Sequence, residues 1–341
     1  MMSKITLRSL VISTVLILFL LAACSTPATP TATAEVTSTQ APEAVATPTA
    51  TPEPAVVWLV AGPDVDPNLH ERVLFWVTGQ SKDDNFSLEV KDVISPAEAP
   101  ANLQTVIFLS PTEDIKDIAA SLPQTKFVAL TDKDLSPGAN LSIIKTMDIQ
   151  AAFLAGYLAT LNAPDFRSGA LFVDGRPNTA NLQDAFLNGG RYFCGRCAPV
   201  YAPIVLFPQV GLVPAGADAA GWKAAFDILN QNDIEMLYVP VEGLLPDFLA
   251  YLTEKNVKII TPIPPPDNFV SIFVANVESA SLTALIELWP QLATLTEGKL
   301  INAGVQITFL IPENLSAGRL QLAERIIPDL ISGVISPLSV P

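Results

Sequence analysis

The 341-residue chain sets 34 acidic residues against 19 Lys and Arg and a single histidine, a formal net charge of −15 at pH 7. That balance argues against nucleic-acid binding, which needs a basic footprint, against docking on anionic lipid through overall protein charge, and against His-dependent catalysis. Half of the residues are hydrophobic and 16% are charged, so material for a sizeable core is present.

Residues 1–23 read as a signal segment. Lys4 and Arg8 form a positive start, and an apolar run over 10–21 follows. That run is shorter than the roughly 20 residues a spanning helix needs. Leu21-Ala22-Ala23-Cys24 resembles a bacterial lipobox. The resemblance implies diacylation of the Cys24 thiol, cleavage before it, and membrane lipid as the partner of Cys24 on the extracytoplasmic face. An uncleaved anchor with an incidental cysteine is the alternative. Residues 24–55, rich in Thr, Pro and Ala and free of aromatics, offer little to bury. Such a tract stays extended and acts as a spacer of about 3 Å per residue, on the order of 90 Å in all. Without Lys4 and Arg8, 17 basic residues face 34 acidic ones, a balance that favours neutral or cationic small ligands.

From residue 56 onward short β-rich runs alternate with helical spacing. Strands are expected over 56–60, 105–109, 126–130, 170–173, 204–207, 235–239, 258–261, 269–276 and 305–310. Most are continuously apolar, as in strands covered on both faces. Between them Ile115/Ile118/Ala119/Leu122, Leu154/Tyr157/Leu158/Leu161, Trp222/Ala225/Phe226/Leu229 and Leu245/Phe248/Leu249/Leu252 repeat at i, i+3, i+4 and i+7. Helices are also expected over 279–295, which Pro290 should kink or end, and over 317–331. The alternation implies βαβ units and parallel sheets. About ten strands are too many for one sheet at this length, so two α/β lobes are expected.

Residues 140–161, "NLSIIKTMDIQAAFLAGYLATL", preceded by "KFVALTDKD", resemble the basic membrane protein family, lipoproteins that serve as substrate-binding components of ABC importers. "SGALFVDGRPNTANLQDAFLNGGR" resembles the family's next block. The resemblance spans about residues 56–335 at low identity and is most specific over 126–190. It implies a type I periplasmic-binding architecture: two doubly wound parallel-sheet lobes joined by a three-crossover hinge, with a small-molecule ligand, nucleoside-like in several members, in the cleft and an ABC permease as partner. The implied lobes are 56–143 plus 272–308 and 144–271 plus 309–341, with crossovers near 140–146, 268–276 and 307–312. The chain departs from the family at Asp64-Val65-Asp66-Pro67-Asn68, at the reduced turn Glu242-Gly243-Leu244, and at the Pro262–Pro266 segment. Those departures put a nucleoside ligand in doubt. A sensor or surface-interaction lipoprotein that keeps the fold without transport is the alternative function.

Open α/β sheets bind ligands beyond the carboxyl ends of their strands. That rule selects loops 62–68, 110–114 and 131–134 in the first lobe, and 174–178, 209–218 and 241–245 in the second. Asp64, Asp66 and Asn68 begin like a Ca²⁺ loop, but Leu69 and Phe75 stand where Gly and Glu belong. A cleft-lining loop or a plain turn is the reading there. Asp132 can accept from a ligand hydroxyl or amine, or serve its turn. Asp174, Arg176 and Asn178 form the matching turn, with Arg176 available to a carboxylate across the cleft and Asn178 to cap the next helix; Glu242 completes the set of cleft candidates. Trp222 can stack on a ring, though its spacing favours the core. Gly156 suits a close backbone approach, such as that between lobes, or ordinary packing. Cys194 and Cys197 are too few for zinc even with His70, and they follow a helix rather than begin one; a structural disulfide is expected outside the cytoplasm. No GxSxG, P-loop, HExxH or dinucleotide fingerprint occurs, so neither enzyme activity nor a cofactor is expected.

Overall fold

The computed structural model describes residues 53–62, 65, 67–176, 178–264, 266–308 and 310–339, without the side chains of Pro67 and Asn68. The signal segment, Cys24, most of the spacer, Asp64 and Asp66 lie outside the described residues.

The apolar runs form two sheets. In the first, β1 (Ala55–Ala61), β2 (Phe86–Lys91), β3 (Leu103–Leu109), β4 (Lys126–Thr131), β5 (Leu141–Lys145) and β11 (Leu300–Asn302) lie in the order β11-β5-β4-β3-β1-β2, all parallel. In the second, β6 (Ser168–Val173), β7 (Gln209–Val213), β8 (Met236–Tyr238), β9 (Lys258–Thr261), β10 (Phe273–Ser279) and β12 (Val305–Thr308) lie in the order β12-β10-β9-β8-β6-β7. There β12 runs antiparallel to β10 and the other pairs are parallel.

Helices cover both faces of each sheet, which is why the central strands are apolar throughout rather than alternating. On the first sheet, α1 (Pro67–Asp83) and α7 (Ser281–Leu288) pack on one face and α2 (Ile115–Ser121) on the other. On the second, α3 (Asp148–Asn162), α4 (Thr179–Cys194), α8 (Ala317–Glu324) and α9 (Ile327–Ile331) share one face, and α5 (Ala219–Leu229) and α6 (Pro246–Glu254) take the other. Among the described residues these four cores draw on residues 55–338, and residues 52–341 form one compact unit.

The chain leaves the first sheet after β5, returns after β10, and crosses once more between β11 and β12. Two of the expected switch points therefore move. The apolar run 269–276 begins as a 3-10 turn, Asp267–Ile272, and the strand proper ends at Ser279 in the second sheet. The return crossover is thus at Ala280, not near 268–276. Strand β12 pairs with β10, so the last crossover falls at residues 303–304, ahead of the expected 307–312. The expected strand at 204–207 is absent: Ile204 and Leu206 are exposed, and the edge strand β7 starts at Gln209, just past Pro208. The helix expected over 279–295 is α-helical only to Leu288, and Pro290 sits in the 3-10 turn Trp289–Thr294 that follows. The last helix breaks in two, with Pro328 opening α9.

Helix α3 is buried around its whole circumference from Ala151 to Asn162, not along one stripe. Sheet, α4, α8 and α9 surround it, and a helix apolar on all sides is a helix with neighbours on all sides. Its closest neighbour is α4. A Cβ on Gly156 would lie 2.0 Å from the Phe186 carbonyl oxygen, and one on Gly189 would lie 1.9 Å from that of Phe153. The backbone that needs Gly156 belongs to the same lobe and not to the other one.

Candidate interlobe site

The loops that follow β1, β3 and β4 and those that follow β6, β7, β8 and β9 lie at the carboxyl ends of their strands. Among the described residues, polar side chains join the lobes there. Asn178, at the N-cap of α4, donates its side-chain amide to the Asp132 carboxylate beyond β4. Arg72 on α1 pairs with Glu278 on β10. Asn178 occupies the cap position but its side chain makes no cap bond.

Glu278 is the more deeply placed of the charged groups, 7% exposed. A carboxylate so buried needs compensation. It gets it from the Arg72 guanidinium, from Gln306 Nε2 at 3.0 Å and from the Thr308 hydroxyl at 3.4 Å. Two residues earlier on β10, fully buried Asn276 donates to Thr261 Oγ1 at 2.9 Å and so fixes the end of β9 ahead of the Pro-rich turn.

The remaining candidates are engaged nearer home. Asp174 accepts the Gly175 N–H at 2.8 Å, a turn contact, and Gly175 takes a φ of 78° that favours glycine. Arg176 pairs with Glu242 of the 3-10 turn Val241–Gly243, a partner in its own lobe rather than across the cleft. The second-lobe loop expected at 209–218 is shorter, since β7 occupies Gln209–Val213 and leaves residues 214–218. Trp222 is 1% exposed and packs its ring against Phe248, which makes it core. Cys194 and Cys197 are joined as a disulfide at the end of α4.

Three features of the first-lobe rim escaped the sequence reading. Lys133 donates Nζ to the Pro111 carbonyl at 3.0 Å and ties two cleft loops together. Ser110 holds a φ of 57° just past β3, an unusual angle for a residue with a side chain. Lys145 pairs with Asp134, and that hydrogen bond, together with the charge behind it, holds the Asp134 carboxyl below its usual range. An open depression of about 440 Å³ lies here, lined by Glu113, Lys116, Lys133, Asp134, Leu135 and Ser136. Its two lysines face two carboxylates, so its charge is balanced. Arg72 was missed because α1 itself was missed: Gln80, Ser81 and Lys82 dilute the apolar spacing of Val73 and Val77.

No family model matches the chain, and no curated protein matches it significantly. Solved structures do. An ABC transporter system solute-binding protein from Conexibacter woesei is similar at a TM-score of 0.62 and 14% identity, over 84% of this chain and 98% of that one. A solute-binding protein of an ABC transporter system from Aeropyrum pernix gives 0.61 and 12%, over 84% and 93%. A transcriptional activator of the comK gene from Bacillus halodurans gives 0.58 and 10%, over 83% and 99%. At such identities the likeness shows the fold. The chain is an α/β protein of the type I periplasmic-binding kind, with two parallel-sheet lobes.

Proposed function

We propose that this chain is an extracytoplasmic solute-binding protein, anchored through Cys24, that closes its two lobes over a small neutral or cationic ligand and delivers it to an ABC permease. The observation that carries this reading is the meeting of Asp132 and Asn178, side chains from opposite lobes at the carboxyl ends of their strands. That is where open α/β sheets take ligands. Closure of this kind requires the ligand to bind the closed form better than the open one. Around the rim Lys145 pairs with Asp134 and Arg176 with Glu242, while Asp132 and Asp174 meet neutral donors, so the rim does not favour an anionic solute. A nucleoside is one neutral candidate. The similar proteins, solute-binding components of ABC transporter systems, add support.

A second reading has its own support. The same fold occurs in a transcriptional activator, so a sensor or surface-interaction lipoprotein that binds without transporting fits the architecture equally. Permease and ATPase genes beside this one favour transport; a neighbouring kinase gene favours sensing. Binding itself is tested by thermal-shift screening of residues 53–341 against nucleosides, sugars, amino acids and polyamines. At least one class should raise the melting temperature, and Asp132→Ala should abolish the rise. A flat response to every class overturns the reading.

A further inference from the structure

Helix α4 begins at the cleft and ends at the far pole of the second lobe, where the chain runs from Gly195 to Pro208 before entering β7. Within this loop Val200 is 74% exposed, Tyr201 76%, Ile204 73% and Leu206 50%. Single exposed apolar residues are ordinary, but four large ones within seven positions form a patch of the kind that marks an interaction surface.

The backbone beneath the patch is firmly held. Arg167, 5% exposed, donates Nη2 to the Tyr201 carbonyl at 2.9 Å and to the Ala202 carbonyl at 3.2 Å, and Nη1 to the Asn232 carbonyl at 3.0 Å. Its guanidinium lies over the Phe207 ring. Asp165 accepts the Val200 N–H at 2.7 Å and the Tyr201 N–H at 3.4 Å. The Cys194–Cys197 disulfide closes the start of the loop, and Phe207, 1% exposed, plugs its end into the core. A buried arginine and an aspartate thus fix the main chain while the apolar side chains stand in solvent. This is a preorganised surface, which lowers the entropic cost of docking.

Charge narrows the partner. Residues 185–217 contain no Asp or Glu, in a chain that carries 34 of them, and they hold Arg191 and Arg196, both exposed. Asp165 and Asp233, at the base of the loop, lie within salt-bridge distance of Arg167. Overall charge opposes approach to an anionic surface, but at physiological ionic strength screening over about 8 Å confines the contest to the contact zone. Self-association would set Arg196 against Arg196 and bring together two copies of net charge −15. Aliphatic side chains, a tyrosine and flanking arginines are the combination that enters a lipid headgroup region.

We propose that the Val200–Leu206 loop is a lipid-docking surface that rests the far pole of the second lobe on an anionic bilayer while leaving the cleft free. The proposal rests on the anchoring reading only for why a bilayer lies nearby. The test omits the anchor. Residues 53–341, with the disulfide intact, are co-sedimented with vesicles of phosphatidylcholine alone and with 30% phosphatidylglycerol. Binding should be measurable to the mixed vesicles, stronger than to phosphatidylcholine alone, and weakened by salt. The V200S/Y201S/I204S/L206S variant should bind at least tenfold more weakly at an unchanged melting temperature, and Arg196→Glu several-fold more weakly. In Tyr201→Trp the indole emission should shift to the blue on vesicle addition. An unmoved emission with no co-sedimentation overturns the proposal. So does a fragment that light scattering finds dimeric and that the four-serine variant makes monomeric. Neither result depends on whether any solute binds the cleft.

Discussion

Replacing Gly156 with Ala tests the close backbone crossing of α3 and α4. The new methyl carbon would lie 2.0 Å from the Phe186 carbonyl oxygen, 1.0 Å inside the 3.0 Å limit that real Cβ atoms respect. The obstacle is backbone, so no side chain can rotate away. Gly189 meets the Phe153 carbonyl at the same crossing, so relief requires the two helices to move apart within an enclosed core. Two terms compete. Alanine improves intrinsic helix propensity by about 1 kcal/mol. Overpacking a dense core costs about 1–3 kcal/mol and more where backbone must move. The contact is reciprocal and α3 is enclosed on all sides, so overpacking wins, with a net loss of about 2 kcal/mol or more. For a domain of this size each kcal/mol lowers the melting temperature by about 2–4 °C, so a fall of about 4–8 °C is expected. Circular-dichroism melts of residues 53–341 measure it. The double variant with Gly189→Ala should lose less than the sum of the singles, since either substitution already forces the helices apart. A melting temperature for Gly156→Ala at or above that of the parent refutes the close-crossing account.

Removing the Arg72 guanidinium by Arg72→Ala strands the buried Glu278 carboxylate with only Gln306 and Thr308. Urea titration should show a loss of about 1–3 kcal/mol, and Glu278→Gln in the Arg72→Ala background should recover part of it. Trp222→Ala should cost about 3–5 kcal/mol as a core cavity; a loss under 1 kcal/mol in the same titration would return Trp222 to the cleft. Asp84 accepts from Trp289 Nε1 at 2.8 Å and from Gln80 at 2.9 Å, and these bonds hold its carboxyl below the usual aspartate range. A depressed carboxyl stabilises the fold above its unfolded value and loses that contribution as pH falls through its folded value. Asp84→Asn should therefore destabilise slightly at pH 7, by a fraction of a kcal/mol for so exposed a group, and the difference from the parent should shrink in melts at progressively lower pH.

What the sequence made legible follows from how each element buries its residues. Central strands such as β4 and β9 are covered on both faces, so their apolar runs stood out. Edge strands carry no such signal: β2 alternates as FSLEVK, β7 has one buried residue, and β11 has none. The run at 204–207 was equally apolar and misled, because Ile204 and Leu206 stand in solvent at the lobe's pole while Phe207 alone is fully buried. At the site, Asp132 and Asn178 could be placed on opposite lobes from turn position alone. The Arg72–Glu278 pair could not be placed so, because it joins residues 206 positions apart through a helix without a clear apolar stripe. Gly156 was visible as an oddity in a helix, but only the three-dimensional crossing says which backbone it admits.

The central claim is a hinge between two lobes that closes on a solute. Spin labels at Ser121→Cys on the first lobe and Lys255→Cys on the second, both exposed positions remote from the cleft, report it directly by pulsed dipolar distance measurement. In the presence of at least one class among nucleosides, sugars, amino acids and polyamines, the interlobe distance distribution should shift and narrow. A distribution identical with and without every class would contradict the account.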